Sequence, residues 1–277
     1  MACENVRQSL LVSRAEIERM ASAAAVVDDC RRELAARNRN IVSEALADNP
    51  AAEWRHYPDG EVYDAKSHAQ YFYHKHPVNG RPLREHGHFH TFLRAEGMPV
   101  GAAPLILPEM AVADVPALPP QAPPVKHGTR EEVSHLVAIA VDCRGVPIRL
   151  FTTNRWVTGE TWYRADDVVR MLDRFAITEV EPSETLNRWV AAMLRLFRPQ
   201  IAALLRMRDE TVMAWRRRRR THVFEDPALE ITSSLDIGLD AQLAFLDRVR
   251  SEPAARAPHR VPVLPAMAEG WGEGHPG

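Results

Sequence analysis

The stretch Tyr73-His74-Lys75-His76-Pro77-Val78-Asn79-Gly80-Arg81-Pro82-Leu83-Arg84-Glu85-His86-Gly87-His88-Phe89-His90-Thr91 holds five of the chain's twelve histidines. In His86-Gly87-His88-Phe89-His90 they recur at every second residue. Side chains of an extended strand alternate faces, so this spacing predicts a strand with His86, His88 and His90 projecting from one side. The aromatic run before it, from Ser67 to His76, favours a second strand, although Asp64 as an N-cap before Ala65-Lys66-Ser67 leaves a short helix possible. The two would form a hairpin around Asn79-Gly80. A two-residue turn would pair His74 with Glu85 and put His74 and His86 on opposite faces, and one bulged residue would reverse that. Pro77 and Pro82 cannot donate ladder hydrogen bonds, so a longer, irregular connection is expected.

Outward from this stretch, the 277 residues suffice for one large domain or two small ones, and 45% hydrophobic residues can bury a substantial core. No run approaches the eighteen apolar residues of a membrane span, and the N-terminus carries no signal-like segment, so the expected location is the cytoplasm. Three cysteines without CxxC spacing exclude a cysteine zinc knuckle and fit a reducing compartment. A net charge of −2 gives no global attraction to polyanions. Only the local run Arg216 to Arg220 could contact nucleic acid, and five successive arginines splay around a helix, so a solvated helix end is the favoured reading.

Along the chain, Ser13 and Glu16 form a capping-box pattern ahead of a helix expected over 13–47. Tyr57-Pro58-Asp59-Gly60 reads as a turn. Eight of the chain's 21 prolines lie between residues 99 and 124, which makes 99–128 a loop or flap. His135 to Val141 and Ile148 to Val157 read as an antiparallel pair, followed by a helix capped by Asp166. Ser183 opens a helix that Pro199 kinks or restarts. A strand is expected near Leu229 to Ile237, then a helix from Asp240 to about Val249, and a disordered tail from 251 to 277.

These elements predict an α+β fold: an antiparallel β-sheet carrying the His-rich strand, packed against long N-terminal and C-terminal helices. Residues 1–53 would be an N-terminal helix packing on one domain, 54–250.

Neutral imidazole suits zinc, iron, copper and nickel, and a strand-borne His-x-His supplies two ligands whose third comes from a neighbouring strand. His86 and His88 are the first candidates, with His90, His74, His76 or His135 completing a divalent metal site for zinc or iron. Glu85 and Glu160 are the candidate acid/base groups, and Arg155 with Trp156, on the expected strand, the candidate ligand-binding pair for a small anionic molecule. The competing reading is a non-catalytic binding or interaction protein in which these histidines stack with Tyr71, Tyr73 and Phe92 in a metal-free cleft. Nothing in the sequence fixes the oligomeric state.

The set Tyr71-Phe72-Tyr73-His74-Lys75-His76, Glu85-His86-Gly87-His88-Phe89-His90-Thr91-Phe92, Leu150 to Glu160 and Phe197-Arg198-Pro199-Gln200-Ile201 resembles an uncharacterised bacterial family described as a domain of unknown function. The resemblance covers roughly residues 54 to 250. It implies a discrete folded unit and carries over no activity and no catalytic residue.

Overall fold

The computed structural model describes residues 10–76, 84–105, 107, 132–219, 222–252 and 258–262. The expected loop at Asn79-Gly80, most of the proline-rich excursion, Arg220 and most of the tail lie outside the described residues.

Ser13 opens helix α1 (Arg14–Ala35), its hydroxyl accepting the Glu16 amide at 3.2 Å. Ile17, Met20, Ala24, Val27 and Leu34 form its buried stripe. The single helix expected to residue 47 is instead two. Asn38 takes a left-handed φ of 54°, and Asn40 caps a second helix, α2 (Ile41–Ala45), by accepting the amides of Val42 and Ser43. Asparagine suits both tasks, since it tolerates the left-handed region and its carbonyl reaches the second and third amides of a helix.

Six antiparallel strands follow in the order β2 (Tyr57–Tyr63), β3 (Ala69–His74), β4 (Gly87–Arg94), β5 (Val133–Val141), β6 (Pro147–Thr153) and β7 (Ile231–Asp236). Two short strands outside this sheet, β1 (Leu11–Val12) and β8 (His259–Arg260), pair with one another. The predicted α+β architecture is therefore present, with the histidine strand β4 near the middle of the sheet. Tyr57 to Gly60 is not a free turn. It lies in β2 as an irregularity between the pairs Tyr57↔Tyr73 and Val62↔Tyr71, with Gly60 and Glu61 at positive φ, so turn-type conformations are used inside a strand. The strand expected to Val157 ends at Thr153, because Asn154 caps the short helix α3 (Arg155–Thr158) and ties its side-chain amide to the Val223 carbonyl at 2.7 Å.

The remaining helices are α4 (Ala165–Leu172), α5 (Glu184–Leu196), α6 (Arg198–Arg219) and α7 (Leu239–Ser251). Asp166 does not cap α4. That helix donates its first amide, of Ala165, to Asp209 of α6 at 2.7 Å. Ser183 caps α5 as its sequence predicts, and Pro199 sits in the first turn of α6, where a missing amide hydrogen costs nothing. Asp240 lies in the first turn of α7 behind Gly238 at the cap.

One face of the sheet carries Tyr71, Tyr73, Phe89, Val137, Ile139 and Leu150 in a core shared with α1, α5 and α6. Phe89 meets Trp189 of α5 at 5.5 Å between ring centres, and Tyr71 donates to Asn187 of the same helix. The other face carries the alternate residues, among them Phe72, His74, His88, His90, Ala138, Ala140 and Phe151.

Asp64 fastens the β2–β3 connection to the segment ahead of α5. It is fully buried and accepts the amides of Lys66 and Ser67 on one oxygen, and the amides of Thr178 and Glu179 with the Thr178 hydroxyl on the other. Removing the acceptor strands several buried donors, so Asp64→Ala is expected to lower unfolding free energy by about 3 kcal/mol, the range for hydrogen bonds to a charged group. Chemical denaturation measures this, and a loss below about 1 kcal/mol would contradict the anchoring role of Asp64.

Candidate metal centre

The β3–β4 register decides which histidines meet. His74 lies opposite His88 and Phe72 opposite His90. Directly opposed residues share a face, so His74 joins His88 and His90. The facing expected from a simple two-residue turn is thus reversed, and the connection that achieves it lies outside the described residues. On the other flank of β4, the residues paired with His88 and His90 are Ala140 and Ala138, whose small side chains leave room for imidazoles. His74, His88 and His90 are 8%, 5% and 2% exposed, and each offers a ligand atom within 4.8 Å of those of the other two.

His135 reaches the same face through a backbone irregularity. Strict alternation from Val137 would turn it into the main core, but the β4–β5 register shifts between Thr91 and Phe92, so that Phe92 pairs with His135. The extra residue, Leu136, flips the parity. His135 Nε2 then lies 3.0 Å from His90 Nδ1.

His86 departs from the expected same-face trio. It precedes the first β4 residue, and its Nδ1 lies 2.6 Å from the hydroxyl of Tyr73, whose ring belongs to the core on the opposite face. Gly87 permits this approach, because a Cβ there would fall within 3 Å of the Tyr73 hydroxyl and the His74 carbonyl oxygen. His76, also a candidate for the third ligand, places its Nε2 3.2 Å from His74 Nε2.

The two candidate carboxyls occupy different electrostatic settings. Glu85 is buried, and burial pushes its carboxyl up. The hydrogen bond with His88 Nδ1 at 2.7 Å and the charge of Arg149, which donates to the other oxygen, outweigh burial and hold it below the ordinary carboxylate value. An ionised Glu85 only accepts, so His88 donates to it from Nδ1 and turns its Nε2 toward His74 Nε2, 2.7 Å away. Burial raises Glu160 to about 7 against the opposing charge of Arg208. Its oxygens accept the His135 amide at 2.8 Å and the Thr158 hydroxyl at 3.4 Å. Arg149 also lies over the Phe151 ring, which packs edge-on against His88 and so walls the cluster. Sequence reading missed Arg149, the one charged residue of its strand. The alternation of large and small residues in Val137-Ala138-Ile139-Ala140-Val141 was a legible sign of a crowded face opposite the core.

Arg155 and Trp156 lie on α3, not on a strand. The Arg155 guanidinium pairs with Glu225 and stacks over Phe224, and the Trp156 indole donates to the Leu229 carbonyl at 3.0 Å. Their contacts tie α3 to residues 223–229. Arg216 to Arg219 occupy the last turn of α6, with Arg219 over the Trp215 ring.

Burial holds His74 and His90 well below the usual imidazole value, with neighbouring imidazoles adding to the effect, and burial followed by the charge of Arg208 brings His135 to about 3. All three are neutral when folded and take up protons on unfolding below about pH 6.5, so stability falls with pH from there toward about 3 by up to about 1.4 kcal/mol per unit for each group. Glu160 acts in the opposite sense between its ordinary value and about 7, one group against three. The chelated protein should therefore melt lower at pH 5 than at pH 7, and His135→Asn should flatten that dependence. A melting temperature that is constant or rises on acidification would contradict these neutral imidazoles.

No curated protein matches the chain, and no solved structure matches it. The described residues include no helix long and apolar enough to cross a membrane. One family model spans residues 21–237, well over half of the chain. By that match the protein belongs to the family described as a domain of unknown function, DUF6969.

Proposed function

We propose that the protein is a metal-dependent enzyme whose mononuclear centre is held by His74, His88 and His90. The observation that carries this reading is the convergence of three buried imidazoles on one sheet face, with the Glu85 carboxylate orienting His88 through its Nδ1. Three-histidine sets that leave a position open are those that lower the pKa of bound water and polarise a substrate oxygen. Zinc fits the all-nitrogen donors, and iron is the second choice. In this reading Glu85 is an orienting group, because it is clamped between His88 and Arg149. Glu160, poised near neutral pH, is the acid/base group, working beside His135. The substrate in this reading is a small anionic molecule, although the Arg155 guanidinium itself is paired with Glu225.

The test is metal content per chain in protein purified without a histidine tag. Wild type should carry about one equivalent, and His74→Ala, His88→Ala and His90→Ala should each fall to near zero. His86→Ala and His68→Ala should keep it, and Glu85→Ala should weaken affinity roughly 10- to 100-fold, the usual effect of removing a group that orients a ligating histidine. Metal-loaded protein should turn over activated esters or phosphoesters, with Glu160→Gln reducing turnover without loss of metal. Stoichiometric metal with no turnover would leave a binding protein. A wild type without metal after growth with zinc, iron and manganese would leave the histidines as a metal-free cleft.

A further inference from the structure

Resting on the three-histidine reading, we infer that His76 is a fourth nitrogen donor to the same ion, held in place by Trp54, and that exogenous ligands gain the centre by displacing this one imidazole. His74 Nε2 faces two other ring nitrogens, His88 Nε2 at 2.7 Å and His76 Nε2 at 3.2 Å. A single N–H on His74 Nε2 can point at one of these partners only. A shared cation satisfies all three nitrogens at once. Four imidazoles around a zinc-sized ion at about 2.0–2.1 Å place neighbouring nitrogens roughly 3.3 Å apart, and the His74–His76 spacing matches that edge. The His76 ring stands perpendicular to that of His74 and centres 5.1 Å from that of His88, so it closes on the pair from a further side.

His76 differs from the other three in what holds it. His74, His88 and His90 belong to the paired strands β3 and β4, whereas His76 lies beyond the last β3 residue. Its neighbour Lys75 makes an isolated bridge to Glu53, and the Lys75 carbonyl accepts the Trp54 amide at 2.9 Å. Trp54 has a left-handed φ of 64°, a conformation bulky residues rarely take, and packs its ring 4.4 Å from that of His76 while remaining 61% exposed. The indole covers one ligand at the edge of the site. Loss of that contact removes one support of His76 and leaves the sheet ladder that carries the other three intact.

Cobalt(II) replaces zinc as a visible probe in the full chain, with X-ray absorption counting imidazoles and azide testing access. Wild type should bind one cobalt through four imidazoles and take azide weakly. His76→Ala should keep one cobalt with three imidazoles and bind azide at least tenfold more tightly. Trp54→Ala, which leaves every ligand intact, should bind azide with intermediate affinity. Three imidazoles in wild type, or azide affinity unchanged in both variants, would overturn the assignment of His76 while leaving the three-histidine centre standing. A wild type that binds no cobalt would overturn the centre itself.

Discussion

The site depends on one register, His74 opposite His88 across β3 and β4. Because side chains alternate with a period of two, a slip of one residue would send His74 into the apolar core and bring Tyr73 to the histidine face. Tyr73 and Gly87 help prevent that slip. The tyrosine ring is part of the core, its hydroxyl reaches His86, and the absence of a Cβ at residue 87 is what lets it pass. The glycine between two histidines is thus a packing requirement, and it places His86 apart from the cluster.

Packing imidazoles this closely would be costly if they were charged. Burial and mutual repulsion both disfavour protonation, so His74 and His90 stay neutral, as metal ligands must. The cluster is lined by Phe72, Phe151 and two alanines, which supply no competing hydrogen bonds. The helices lie against the other face, so the apolar core can stabilise the sheet independently of what the histidine face holds.

The sequence was informative wherever a local pattern suffices. His-x-His alternation, the apolar run of β5, the serine cap of α5 and the proline restart at α6 each depend on neighbours within a few residues, and each marks its element. What was hidden depends on distant partners. Asp209 caps α4 from another helix, and Arg149 fixes the charge of Glu85 from two strands away. The single extra residue at Leu136 decides that His135 faces the cluster and not the core, and nothing in its side chain announces a bulge. Arg155 and Trp156 were misplaced for a related reason: Thr153-Asn154 can continue a strand or cap a helix, and the bond from Asn154 to Val223 selects the second.

Two carboxyls of similar intrinsic acidity end in different states because their surroundings differ. Glu85 has a guanidinium and an imidazole N–H in direct contact, which compensate its burial and keep it charged. Glu160 has a backbone amide and a hydroxyl in contact, with Arg208 acting only through its field, so burial prevails and its carboxyl titrates near neutrality. Separation of this kind divides labour in acid–base sites: the group held charged orients, and the group poised near the working pH exchanges protons. In the proposed enzyme that division follows from the placement of two arginines. Arg149 reaches its carboxylate directly, and Arg208 is drawn away by Asp209 and the Tyr163 carbonyl.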